Sequence, residues 1–393
     1  LPVPVLTPDA ALSLGATWSQ VRQSAHERAT AASFPTTDEE IWRYSRIGEL
    51  DLATFTVAET PTSIAGLSDA VTVTQVSASA VAVDPAFADL FSETTSSDLF
   101  NSLNLAHMDV IVISVARGVV ASEPIIVTHT LNGEGNIYFP RLVIDAAENS
   151  EVTVVERFIS NDGVRSLVVP VLDARAAQSA RVRYLAINEL GDKTWQIGEH
   201  HSQGHRDSDT LLATVALGGD YARVSTAARL LGQGSNTRQV ALYFAGGTQM
   251  HDFRTLQEHA APRTTSDLLF KGAVQDTAKS VYTGLIKIHN NAKGSVAYQT
   301  NRNLTLSHGA WAESVPNLEI ETNDVKCSHA STVGPIDEDQ LFYLESRGVN
   351  PDVAQRLVVL GFFDEVLAQL PVGNLAASLR QQVANKLSIG VGA

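Results

Sequence analysis

The run Lys326-Cys327-Ser328-His329 holds the only cysteine among 393 residues, two positions before a histidine. In an extended strand, side chains at i and i+2 leave the same face, so Cys327 and His329 project together. A thiolate beside an imidazole is half of a soft metal site, and one chain with so few such ligands cannot close it. Three readings of the pair are open. Cys327 can be a buried structural thiol beside an incidental histidine. The two can form a catalytic dyad, although parallel side chains on one strand do not meet as nucleophile and base, and no glycine-rich oxyanion turn adjoins them. Or they contribute one or two ligands to a site that a second chain completes.

Two other groups of residues invite chemistry. Gly232-Gln233-Gly234 has the start of a phosphate cradle, but no Gly-Lys-Ser/Thr follows and the third glycine of the dinucleotide fingerprint is missing, so the segment reads as a hairpin turn. No nucleotide is expected on this chain. His200, His201 and His205 in EHHSQGHRD look like metal ligands, yet the enclosing Gly198, Gly204 and Asp207 favour a solvated loop. His251, His259, His289 and His308 read as ordinary strand or turn residues.

Holding a pair of side chains on one face requires strands, and from about Val71 the chain supplies them. Short runs rich in Val, Ile and Thr (VTVTQV, VIVISV, IIVTHT, LVIDA, VTVVERFI, LVVPVL, VRYLAI) alternate with Gly, Asn, Asp or Pro, with no helix expected between them. Between Leu211 and Val325 they become a loose repeat: LGGDYARV, LGQGSNTRQV, FAGGTQMHDF, FKGAVQDTAKSV, IHNNAKGSV, LSHGAWAESV. Strand, turn and strand without helices describes a solenoid of stacked β rungs, each burying its apolar face against its neighbours. A β-sandwich is the competing fold; the series is long for one sandwich, and no composition break divides it in two.

Helical patterns sit at both ends. Residues 8 to 47 read as a helical cap, with Leu12, Leu14, Trp18 and Val21 and then a start signal at Thr37-Asp38-Glu39-Glu40. After Gly334, four helices are expected: one opened by Asp337, one capped by Asn350-Pro351, a third from Gly361-Phe362-Phe363 to Pro371, and a fourth over 374–388. The expected division is a helical region over 1–60, a mainly β solenoid over 61–333 and a helical domain over 334–393. Phe362, Phe363 and Leu367 are the candidate partner contacts on that last domain.

Composition narrows the function. Forty-three acidic against 28 basic residues give a formal charge of −15, without a basic run, which speaks against a phosphate backbone as partner. No 18-residue apolar run or basic leader is visible, so neither export nor membrane insertion is expected. A single cysteine fits the reducing cytoplasm.

The segment His205 to Leu370 resembles the SufB/SufD family, scaffold subunits of the bacterial SUF iron–sulfur cluster assembly machinery. The most specific stretches are FKGAVQDTAKSVYTGLIKI (270–288), QTNRNLTLS (299–307), AWAESVPNLEIETNDVKCSHASTVGPIDEDQLFYLESRG (310–348) and GFFDEVL (361–367). EEIWRYSRIGELDL (39–52) is closer to the SufD branch than to the longer SufB. The resemblance implies a right-handed parallel β-helix flanked by helical domains. It implies pairing with a SufB-like paralogue, docking of the ATPase SufC on the C-terminal helices, and a homodimer where the paralogue is missing. It places the family histidine that helps hold a transient iron–sulfur cluster at the shared interface on His329, and the accompanying cysteine on Cys327. The expected function is then a non-catalytic scaffold. A SufB-like role would bring more cysteines, and a β-helix carbohydrate-active enzyme would need an excess of Arg and Lys for an acidic glycan.

Overall fold

The computed structural model describes residues 16–67, 71–76 and 98–390. Helix α1 (Ala16–Ala31) is followed by short 3₁₀ turns, strands β1 (Thr56–Val57), β2 (Thr62–Ala65) and β3 (Val71–Val76), and helix α2 (Leu99–His107). The rungs begin there: β4 (Asp109–Val115) with β5 (Ile125–Thr130), then β6 (Asn136–Tyr138), β7 (Pro140–Ala146) and β8 (Glu151–Ile159), then β9 (Ser166–Val168), β10 (Val171–Ala176) and β11 (Arg181–Glu189). Two-strand rungs follow, namely β12 (Thr194–Gly204) and β13 (Asp209–Ala216), β14 (Tyr221–Leu230) and β15 (Asn236–Ala245), and β16 (Met250–His259) and β17 (Thr265–Val274). The last two are β18 (Lys279–Ile288) with β19 (Ser295–Thr305), and β20 (Trp311–Ile320) with β21 (Val325–Gly334). Helices α3 (Glu338–Ser346), α4 (Pro351–Leu367) and α5 (Gly373–Gly390) close the chain.

Each rung contributes to two sheets, the three-strand rungs giving two strands to the first (β6 with β7, β9 with β10), and every rung-to-rung pairing from β4 onward is parallel. The architecture is a β-solenoid, as the strand and turn pattern predicts. Register runs like over like: Tyr221 pairs with Met250 and Met250 with Lys279, so one rung here takes 29 residues. The repeat is loose because the turns obey a backbone rule that several residue types can satisfy. Asn149, Ser179, Asp207, Gly234, Arg263 and Gly294 all have positive φ. Each donates its N–H to a carbonyl one rung further on, as Asp207 does to Gln233 and Arg263 to Lys293. Only glycine adopts that geometry without strain, and Asn or Asp tolerate it, so the turns stack without sharing a sequence.

Strands in the middle of the solenoid bury both faces. The outer face of the β12–β14–β16 sheet is covered by the N-terminal segment, where Trp42, Ile47, Leu52, Leu99 and Phe100 pack with Ile197, Tyr221 and Met250. The outer face of the other sheet is covered by the C-terminal helices, whose Val359, Leu360, Phe363 and Val366 pack on Leu185, Val215, Leu242 and Phe244. This double cladding explains why the strand runs are almost continuously apolar rather than alternating.

The two ends of the stack differ. At the first, β2 runs antiparallel to β5 and β3 antiparallel to β4, which terminates the parallel ladder. At the last, β20 pairs with β18 and β21 with β19, and among the described residues both have one edge without a strand.

Four expectations need correction. Helix α2 lies inside the strand series, held by an Asp98 cap to Phe100 N at 2.7 Å and covering β12. The helix expected over 8–47 is α1 followed by 3₁₀ turns, and Leu12 and Leu14 lie outside the described residues. Gly232-Gln233-Gly234 is a turn between strands of different sheets, not a hairpin. Gly361 lies inside α4, so three C-terminal helices stand where four are expected; apolar packing of Val359, Leu360 and Phe363 outweighs the roughly 1 kcal/mol that a helical glycine costs.

Candidate functional site at the open end of the solenoid

Strand β21 carries both singled-out residues. In register, Cys327 lies over Ala297 and His329 over Gln299. Cys327 is half-buried and packs toward Ile286, Ile288, Ala292 and Ala297, so its face of the strand points into the solenoid. Strand alternation puts His329 on that same inward face, but among the described residues no strand stacks above it and it is exposed. The two side chains therefore share a face of the last strand. Burial raises the Cys327 thiol above its ordinary pKa, which disfavours the thiolate while the end is uncovered. The same terminal rung also leaves Leu318 and Val333 39% and 42% exposed. Ser331 Oγ and Ser314 Oγ, 2.7 Å apart, tie its two strands together.

Among the described residues, no group of three or more His, Cys, Asp or Glu side chains could hold a metal ion. Cys327 and His329 are two potential donor side chains on one strand.

The other histidines lie elsewhere. His200 and His201 belong to β12, against the expectation of a solvated loop, and His205 alone lies in the following turn. Gly198 and Gly204 mark close contacts rather than a loop: a Cβ on Gly198 would come 2.9 Å from Pro170 Cγ, and one on Gly204 3.0 Å from Ser208 Oγ. His200 is buried against Tyr184, and desolvation lowers its pKa to about 4. His201 Nε2 lies 2.8 Å from Glu199, whose carboxylate also accepts from Asn101 of α2 at 2.7 Å.

Sequence reasoning gave no sign of a groove of about 450 Å³ between the Glu40–Trp42 turn and the outer face of the β12–β14–β16 sheet. Its arginines are already engaged. Arg223 donates to Asp252 and to the Ile41 carbonyl and stacks on Trp42, while Arg254 donates to Asp252 and the Arg43 carbonyl. Guanidinium groups so held do not offer the basic track that an acidic glycan needs.

The expected partner contacts lie on α4. Phe363 and Leu367 are buried against the solenoid and Phe362 is half-buried, its ring under the Lys271 ammonium at 4.7 Å. These residues hold α4 in place. The exposed apolar side chains of the helices are instead Phe342, Tyr343, Val353 and Leu357, with Phe342 71% exposed.

Comparison with known proteins bears on this arrangement. The family model described as SUF system FeS cluster assembly, SufBD core domain, matches residues 129–362. That stretch takes in the rungs from β6 to β21, both donors of the terminal rung and α3. The chain belongs to the SufBD family. A SufBD family protein of Mycobacterium tuberculosis is 36% identical over 306 residues, covering 76% of this chain and 75% of that protein. SufD of Escherichia coli is 30% identical over 71% of this chain and 67% of its own length. SufD of Bacillus subtilis is 28% identical over 70% and 63%. As a SufBD family member the chain takes part in iron–sulfur cluster assembly. Among its described residues no helix is long and apolar enough to cross a membrane.

Proposed function

We propose that this chain is a SufD-like, non-catalytic scaffold subunit that pairs through its open solenoid end with a SufB-like paralogue, docks SufC on its C-terminal helices and lends His329 to the nascent cluster. The observation that carries the reading is the terminal rung: Cys327 and His329 on one face of a strand that, among the described residues, has an open outer edge, with Leu318 and Val333 exposed on the same rung. A partner strand laid on that edge satisfies its free N–H and C=O groups and excludes water from the donors. The cluster is cargo, and this chain supplies part of its cradle. In the absence of the paralogue, the same end serves a homodimer. The site of action is the cytoplasm.

His329 is the principal ligand and Cys327 the lesser one, since Cys327 is half-buried among aliphatic side chains while His329 stands free to turn toward a partner. After anaerobic reconstitution, the His329→Ala complex is expected to hold at least about tenfold less iron and acid-labile sulfide, with the complex intact and SufC ATPase activity preserved. Cys327→Ser is expected to lose less. Wild-type loading by His329→Ala would reduce the chain to a structural partner.

A further inference from the structure

We propose that Gln299 is the positioning residue for His329, its amide oxygen accepting one ring N–H so that the other ring nitrogen presents its lone pair across the interface. The inference rests on the reading of His329 as a ligand, and three observations on the rung beneath carry it. Gln299 is the direct partner of His329 in the parallel ladder. The backbones are therefore about 4.8 Å apart, with both side chains on the inward face. Gln299 is 2% exposed, and neither its Nε2 nor its Oε1 has a hydrogen-bond partner.

The neighbouring buried amides are engaged. Asn301 donates to Tyr243 Oη at 2.9 Å, Asn303 to Asn301 Oδ1 at 2.8 Å, and Gln257 to Ser266 Oγ at 2.8 Å. Among the described residues, Gln299 is the one buried amide with both ends unbonded. Leaving such a group unpaired is costly, and the equivalent slot one rung earlier holds Leu268, so packing alone has an apolar solution. The interior also makes room for this amide: a Cβ on Gly284 would lie 2.5 Å from Gln299 Nε2.

A metal-bound imidazole nearly always donates its second ring N–H to an oxygen acceptor, which fixes tautomer and orientation together. Above His329 the end is open, and below it Gln299 Oε1 awaits a donor. Covering the end excludes the water that competes for the ring and lets the pair close.

The test uses the heteromer of the full chain with its SufB-like partner and SufC. Gln299→Leu, with Gln299→Met as a second variant in case leucine disturbs the core, is assessed for co-elution and thermal unfolding. Iron and sulfide content follow, and the ¹⁵N imidazole shifts of His329 are read in the cluster-free complex. The expected result is an intact complex holding about tenfold less cluster. His329→Ala combined with Gln299→Leu should lose no more than His329→Ala alone. The His329 ring should pass from one tautomer to a mixture. Full loading by both Gln299 variants, losses that multiply in the double variant, or an unchanged tautomer would overturn the proposal. Because the tautomer is read without cluster, it decides the hydrogen bond even if His329→Ala loads normally, a result that counts against the ligand reading itself.

Discussion

Lys386 of α5 is half-buried in the seam between that helix and the turns of the solenoid, where it donates to the Leu217 carbonyl and to Gln249 Oε1. Desolvation lowers its pKa to about 7. An unfolded lysine titrates near 10.4, so between about pH 7 and 10 the unfolded chain binds a proton that the folded chain does not. Stability from this group therefore rises with pH across that window. Urea midpoints are expected to climb between pH 7 and 9 in the wild type, and Lys386→Met should remove this part of the climb. Equal slopes for the two proteins would contradict the assignment. At the same scale, the shared face of Cys327 and His329 was legible from spacing, because a strand repeats every two residues, whereas a ligand role for His329 came only with the family resemblance. Gln299 was not, since it lies thirty positions before His329 and becomes its neighbour only through parallel register. His200 and His201 were misread because glycines that allow rungs to approach closely look, in sequence, like glycines that end a strand.

Helix α4 shows how an apolar stripe legible in sequence can be taken up by a distant part of the chain. Its aromatic stripe reads as surplus to so short a domain, but the surface that it covers belongs to strands 90 to 210 residues earlier in the chain, which no local pattern reveals. Phe363 lies with Phe244 at a 6.4 Å ring separation inside the largest apolar cluster. Phe363→Ala is expected to cost about 3–5 kcal/mol in chemical denaturation. Phe342→Asp, on the exposed side of the helices, should change stability by no more than about 0.5 kcal/mol and yet weaken SufC binding in a pull-down. Loss of SufC from a properly folded Phe342→Asp protein supports the proposed docking face; retention moves that face elsewhere. Removal of everything after Gly334 is not a clean test, because it uncovers Leu185, Val215, Leu242 and Phe244.

For the molecule as a whole, rung architecture was legible in the serial strands, whereas the cladding and the unequal ends were not, because they depend on which segments fold back on which face. The open end makes a direct prediction. Leu318→Glu with Val333→Glu puts two charges on the uncovered rung, where both side chains are already partly solvated in the free chain. The monomer should keep its thermal midpoint within a few degrees, while association with the SufB-like paralogue, measured by analytical ultracentrifugation, falls by about a hundredfold or more. Undiminished association would place the interface on another surface.

Stacked parallel rungs have no intrinsic length, and a ladder open at both ends can recruit further copies indefinitely, as cross-β fibres do. Antiparallel β2 and β3, four and six residues long, end the parallel ladder at one end of this molecule, so a further copy does not meet there the ten-residue edges that β20 and β21 present. A copy joined through its bare rung would present that short antiparallel edge behind it, which favours a two-unit rod over a filament.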